Sequence, residues 1–192
     1  MTDLILASSS PFRKMLLERL GLPFSCESPD IDESAKESES PGKLVLRLAA
    51  EKARKVAVTH RDSLVIGSDQ LATVDDDVLG KPGDVETAIS QLQRVRGQCV
   101  KFQTGLCVIN TESNLEMLEC VVVKVKFRDY SDLEIKHYLE KEDALNCAGA
   151  FRSEGLGITL VEEIISSDPT ALIGLPLICL RKMLAQAGLN IP

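Results

Sequence analysis

No run of apolar residues in this chain reaches the roughly 18 needed to span a bilayer. The opening segment, MTDLILASSSPFRK, lacks the basic start and the long apolar stretch of a secretory signal, and carries Asp3 instead. A soluble, cytoplasmic protein is therefore expected, with no membrane partner. An excess of basic residues is also missing. Lys and Arg number 22 against 29 Asp and Glu, for a formal net charge of −7. That balance disfavours broad binding to a nucleic-acid polymer, which needs a basic surface. A small anionic ligand is compatible with it, given a local basic cluster or a divalent cation. Tryptophan is absent, and the only histidines are His60 and His137. The six cysteines, Cys26, Cys99, Cys107, Cys120, Cys147 and Cys179, include no CxxC pair. A zinc site is not indicated by that pattern, nor is a disulfide scaffold. Strings such as LCVIN and LICLRK suggest buried thiols acting as small hydrophobes. Internal repeats, low-complexity tracts and linkers are lacking as well.

What is present is an ordinary globular composition, 44% apolar in 192 residues. That length suits a single domain, 1–192, with a sizeable core. DLILAS (3–8) reads as a buried strand. Ser10-Pro11 then opens a helix, stopped by Gly21. A short strand lies near 24–27, before the acidic loop SPDIDESAKESESPG. Ser40-Pro41 repeats the helix start, and apolar residues recur at helical spacing to about 59. SLVIGSDQLAT (63–73) reads as a strand, VDDDVLG as a hairpin turn and GKPGD as a loop. A helix is expected over 85–96, then a hairpin of 99–110 and 117–128. Ser131 to Glu134 match a capping box, opening a helix to about 141. NCAGAFRSEGLG reads as a Gly-rich loop, GITLVEEIIS as a strand, and 175–187 as a last helix. Such mixing, with at least one hairpin, calls for an α/β fold with a mixed sheet.

Polar groups gather at the ends of apolar strands, where sites form in α/β folds. In ILASSSPFRK three hydroxyls and Arg13 surround a helix start. Taken locally the segment reads first as plain capping with an exposed Arg, and anion binding is the alternative. Asp69 in VIGSDQLA is either a general base or metal ligand, or a turn Asp bonded to its own backbone. Lys81, between Gly80 and Pro82, stands on a stiffened loop suited to phosphate, although GxxxxGK[ST] does not precede it. Taken locally, Asp30, Asp32 and Glu33 read as a solvated, flexible loop, and Asp75 to Asp77 as a turn. His60 and His137 read as surface residues.

Taken in order, LILASSSPFRKMLL, DIDES, VLRLAAEKA, VIGSDQ, LGKP, CAGAF and GLPL resemble the Maf family of nucleoside triphosphate pyrophosphatases. The resemblance runs from Leu4 to about Leu184. It implies a mixed α/β fold, with an elongated central sheet flanked by helices and a cleft between two lobes. It implies hydrolysis of a nucleoside triphosphate to the monophosphate and pyrophosphate with a divalent cation, Mg²⁺ or Mn²⁺. The family is often dimeric, which admits a homodimer. Its signature residues fall on Ser8, Arg13, Glu33, Lys52, Asp69 and Lys81. Asp69 matches the proton acceptor. Ser8, Arg13, Lys52 and Lys81 match phosphate-binding positions, and Glu33 and Asp69 are the carboxylates expected near the metal.

Three further positions track substrate within the family: Phe12, Gln70 and Glu154. Here they read SPFR, GSDQ and RSEG. The dTTP/UTP branch typically has Arg, Thr and Gln there, so this chain resembles the branch that acts on 7-methyl-GTP. That branch often carries Trp at position 12, a conservative difference. The chemistry is consistent, because N7-methylation makes guanine cationic and an aromatic face attracts such a base. Glu154 suits its donors and its charge. Competing readings are a pyrophosphatase for dTTP, UTP or another modified nucleotide, and a nucleotide-binding regulator of cell division or septum formation.

Overall fold

The computed structural model describes residues 2–75 and 77–191. Its elements are β1 (Asp3–Ala7), α1 (Pro11–Glu18), β2 (Ser25–Cys26), α2 (Pro41–Ala57), β3 (Ser63–Val74), β4 (Asp77–Leu79) and α3 (Val85–Val95). Then come β5 (Cys99–Asn110), β6 (Leu115–Phe127), α4 (Asp132–Lys141), β7 (Val161–Ile165) and α5 (Leu177–Gln186). Short 3₁₀ turns cover Ala148–Ala150, Leu156–Leu160 and Pro169–Ile173. Seven strands form one sheet in the order β2-β1-β3-β5-β6-β7, with β4 paired to β3. β1 runs parallel to β2 and β3, joined by helical crossovers, while β4 is antiparallel to β3 and β7 to β6. The sheet is mixed, as the alternation of helices with hairpins requires.

The chain groups into two compact units. The first runs to Gln70, resumes over Thr104–Val121 and closes from Asp168 onward. β1, the first part of β3 and the second half of β5 are buried on both faces, and alternate side chains separate cleanly. Leu4, Leu6, Leu64, Ile66, Leu106 and Val108 pack with Leu16 and Leu17 of α1 and Leu180 and Leu184 of α5. Ile5, Ala7, Val65, Cys107 and Ile109 pack instead with Ala49, Ala50, Ala53 and Val56 of α2. That helix lies directly on the strand backbone. A Cβ on Gly67 would stand 2.1 Å from the Ala49 carbonyl oxygen, and one on Gly105 2.2 Å from that of Val45.

The second unit comprises Leu71–Gln103 and Val122–Ser167. It holds most of the chain's few aromatic residues. The Phe151 ring lies 5.6 Å from that of Phe102 and 5.0 Å from that of Phe127, and the Phe127 and Tyr130 rings meet edge to face. Both buried phenols find partners, as such groups must. Tyr130 donates to the Leu92 carbonyl and Tyr138 to that of Ala150. The Ser131–Glu134 capping box is complete at α4, and Asp84 caps α3 through the Thr87 amide.

Two expectations need correction. Residues 157–160 do not extend β7 but coil into a 3₁₀ turn. The amides of Gly155 and Gly157 both donate to the Arg152 carbonyl, and the Thr159 hydroxyl to that of Leu156, so local bonds outcompete strand pairing. Among the cysteines only Cys107 is fully buried, and Cys26 and Cys99 are exposed. Burial pushes the Cys107 thiol up to about 12, and those of Cys147 and Cys179 up to about 11. The segment after β7, to which the sequence assigned no element, holds the 3₁₀ turn Pro169–Ile173, capped by Asp168. The Asp75–Asp77 stretch does close a hairpin, since Val74 pairs with Asp77, and Asp76 lies outside the described residues.

Candidate active site

β1 and β3 pair in parallel up to Ala7 and Gly67, so Ser8 follows the carboxyl end of β1 while Asp69 lies two residues beyond that pairing, within β3. The carboxyl ends of parallel strands are where α/β sheets place ligands. Ser10 caps α1 by accepting from the Arg13 amide at 3.4 Å, with Pro11 at the first helical position. That cap fixes the first turn and sends the Arg13 side chain back toward β1. Arg13 Nη1 donates to Ser8 Oγ at 3.3 Å, and the Ser10 amide donates to the same oxygen at 3.1 Å. Arg13 Nε donates to the Gly174 carbonyl at 3.0 Å. Desolvation pushes the guanidinium below its ordinary value, while Asp69 and then Glu33 pull it back up. An arginine keeps its charge under that opposition.

Asp69 projects from β3 on the same side as Val65 and Gly67, toward α2. Lys52 meets it from that helix. The two are 7% and 6% exposed, and Lys52 Nζ donates to Asp69 Oδ1 at 2.6 Å. The same ammonium lies 2.6 Å from Glu33 Oε1. A buried ammonium needs such partners, because unpaired burial costs several kcal/mol. Glu33 reaches it from a loop that is not simply solvated, which revises the local reading of that acidic stretch. Arg47 of α2 donates to the Ser34 carbonyl at 2.9 Å and holds Glu39 through two bonds of 2.7 and 2.8 Å. The loop is thereby strapped to α2, and Glu33 is presented to Lys52.

Gln70, one residue on, faces away from Asp69. Its amide nitrogen bonds to the carbonyls of Ala171 and Leu172 and to Thr104 Oγ1. Phe12 is half-buried in the first turn of α1. Ser8, Phe12, Arg13, Glu33, Lys52, Asp69 and Gln70 thus all belong to the first unit. Lys81 and Glu154 belong to the second. Lys81 is exposed on a loop fastened on both sides, where the Gly83 amide donates to the Leu145 carbonyl and the Gly149 amide to that of Gly80. Glu154 pairs with Arg152 Nε at 3.3 Å. Arg152 in turn binds Glu142 at 2.6 Å, and Glu142 accepts from the Leu156 amide.

Among the described residues no group of three or more His, Cys, Asp or Glu is placed to hold a metal. His60 pairs with Glu27 at 2.8 Å, apart from this cluster, and His137 is exposed. Sequence reasoning did not find Arg47, Ser68, Thr104, Asp168 or Gly174. A signal existed for one of them, since Ser-Asp-Pro-Thr before an apolar run is a cap pattern.

Two acidic residues thus share a buried lysine, beside an arginine held on a serine, within the first unit of a mixed α/β fold. A family model described as Maf-like protein matches residues 3–187, and the chain belongs to the Maf family. A protein of Aromatoleum aromaticum called 7-methyl-GTP pyrophosphatase is 51% identical over 191 residues, covering 100% of this chain and 98% of that one. Proteins of the same name from Alcanivorax borkumensis and Pseudomonas aeruginosa are 50% and 49% identical, each covering 100% of both chains. A solved HAM1 protein from Coxiella burnetii superposes with a TM-score of 0.47 at 17% identity, over 66% of this chain and 73% of that one.

Proposed function

We propose that this protein is a nucleoside triphosphate pyrophosphatase that hydrolyses 7-methyl-GTP to 7-methyl-GMP and pyrophosphate. The whole chain, 1–192, serves as one functional domain. The observation that carries the reading is the buried Asp69, held through Oδ1 by Lys52 beside Glu33 and in the field of Arg13. Asp69 takes the proton from the water that attacks the α-phosphorus, using the oxygen that Lys52 does not hold. Lys52 fixes the carboxylate's orientation by donating to Oδ1. Arg13, Lys81 and Lys52 offset the charge of the triphosphate, and Ser8 orients Arg13 and positions a phosphate.

Glu33 and Asp69 fit a hard divalent cation. Their oxygens contact one ammonium, so they lie no farther apart than those two contacts allow. Carboxylate oxygens suit Mg²⁺ or Mn²⁺, and two of them, completed by water and substrate phosphates, match the usual way Mg²⁺ is held. Such an ion, when bound, offsets charge developing on the phosphate oxygens. The substrate assignment draws on the relatives' name together with Phe12 and Glu154, an aromatic face and a carboxylate for a cationic base. No helix of the described residues is long and apolar enough to cross a membrane. We place the enzyme in the cytoplasm with its nucleotide.

Hydrolysis of 7-methyl-GTP in ¹⁸O-water tests the reaction. The expected products are pyrophosphate without label and 7-methyl-GMP carrying one ¹⁸O. Release of 7-methyl-GDP and inorganic phosphate would contradict the proposal.

A further inference from the structure

We propose that Glu142 is a positioning residue for base choice: by claiming the Arg152 guanidinium, it leaves the Glu154 carboxylate available to a cationic base. The inference deepens the reading of Glu154 as a partner of 7-methylguanine, and rests on it. All three residues belong to the second unit, Glu142 directly after α4 and the other two on the loop that follows Phe151. Arg152 Nη1 donates to Glu142 Oε1 at 2.6 Å, whereas Arg152 Nε reaches Glu154 Oε1 only at 3.3 Å. The other Glu154 oxygen accepts from Ser153 Oγ at 3.4 Å. Both of these Glu154 contacts are long for hydrogen bonds, and the Glu142 contact is short. One guanidinium between two carboxylates leaves one negative charge unmatched, and the distances leave it on Glu154. Desolvation works against the charged guanidinium, and Glu142, then Glu154, more than offset it, so Arg152 is held above its ordinary value.

The local backbone holds this asymmetry in place. The Glu142 side chain is 9% exposed, and its second oxygen accepts from the Leu156 amide at 2.7 Å. Both of its oxygens are therefore engaged. The chain runs directly against it, since a Cβ on Gly155 would stand 2.1 Å from Glu142 Oε2. Tyr138, one turn earlier in α4, fixes the start of the loop. Its hydroxyl donates to the Ala150 carbonyl and accepts from the Arg152 amide, both at 3.1 Å. The end of α4 thus grips the loop on either side of Glu154, and Glu142 draws the Arg152 side chain toward the helix. Without the charge on Glu142, the guanidinium keeps one carboxylate of this pair, and its planar fork closes on Glu154. Glu154 then meets a cationic base already neutralised.

The test separates charge from anchoring. Glu142→Gln removes the charge and keeps an oxygen for the Leu156 amide; Arg152→Gln removes the competing cation; the double variant removes both. Each is measured by calorimetry for Kd of 7-methyl-GMP, GMP and inorganic tripolyphosphate, with thermal melting to verify the fold. The wild type should prefer 7-methyl-GMP to GMP. Glu142→Gln should lower that preference by about tenfold, the scale of one charge-assisted hydrogen bond, and leave the tripolyphosphate Kd unchanged. Arg152→Gln alone should keep the preference or raise it. In the double variant the preference should return, because the cation that Glu142 restrains is gone. A merely structural role would instead make the two losses accumulate. Full preference in Glu142→Gln, an equal loss on all three ligands, or a double variant no better than Glu142→Gln would overturn the proposal. If Glu142→Gln does not fold, Arg152→Gln decides alone, and a loss of preference there counts against the proposal. A wild type without preference for 7-methyl-GMP overturns the reading of Glu154 and this inference with it. Contrary results confined to the variants overturn the role of Glu142 only.

Discussion

Asp69 and Lys52 meet at 2.6 Å, and both are nearly inaccessible. Either one alone would be costly to bury; together, with Glu33, they leave two carboxylates against one ammonium. Asp69→Asn keeps the shape and removes the basicity. It should lower kcat by about 10²- to 10⁴-fold with nucleotide binding largely retained, as steady-state kinetics beside a binding isotherm would show. Turnover above half the wild-type rate would remove Asp69 from the role of base. The residue types at Ser8, Arg13, Asp69 and Lys81 are legible in the sequence because they interrupt apolar strands or follow a cap signal. The partnership of Lys52 with Asp69 is not, because it depends on how α2 lies on the sheet. What Asp69 does was suggested by resemblance to a family, whereas the spacing alone left a turn Asp equally open.

At the level of elements, α2 is the piece that carries Lys52 to Asp69 and Arg47 to the Glu33 loop. It approaches closely because Gly67 and Gly105 have no side chains where its backbone passes. Gly67→Ala should push the helix off β3, costing about 1–3 kcal/mol in denaturant unfolding and lowering activity through displacement of Lys52. Full activity with unchanged stability would mean the helix can retreat without consequence. The loop held by Arg47 has an acid limit. Hydrogen bonding to Arg47, then to the Lys36 amide, depresses the Glu39 carboxyl from 4.5 to about 2. A depressed carboxyl contributes its full support above its ordinary value and loses it as the pH falls through the folded one. Hydrogen-exchange protection of the Lys36 amide should therefore hold at neutral pH and fall away between about 4.5 and 2. In Arg47→Ala that protection should already be weak at neutral pH, and an unaffected amide would refute the strap. The regular elements were readable because burial imposes periods of 2 and 3.6 and caps mark the ends. The 156–160 and 169–173 turns were not, because they are built from side-chain and main-chain bonds that leave no period. The strap itself joins residues 34 and 39 to 47 across a segment whose composition reads only as acidic and polar.

Across the whole molecule, a chain of net charge −7 gathers Arg13 and Lys52 in one unit and displays Lys81 in the other. On the proposed reading, such local cations let an acidic protein take a polyanion without a general affinity for nucleic acid. The proposal further assigns the preference for a cationic base to Phe12 and Glu154, and the account stands or falls on that assignment. The most direct measurement is kcat/KM across 7-methyl-GTP, GTP, dTTP and UTP, with and without Mg²⁺ or Mn²⁺, for the wild type and for Phe12→Arg with Glu154→Gln. The account predicts metal-dependent release of pyrophosphate, fastest from 7-methyl-GTP and poor from GTP. The double variant should lose at least about tenfold on 7-methyl-GTP, the scale of one cation–π contact or charge-assisted hydrogen bond, while dTTP and UTP hold or rise. A wild type that prefers dTTP or UTP, or a double variant that keeps its preference for 7-methyl-GTP, would contradict it.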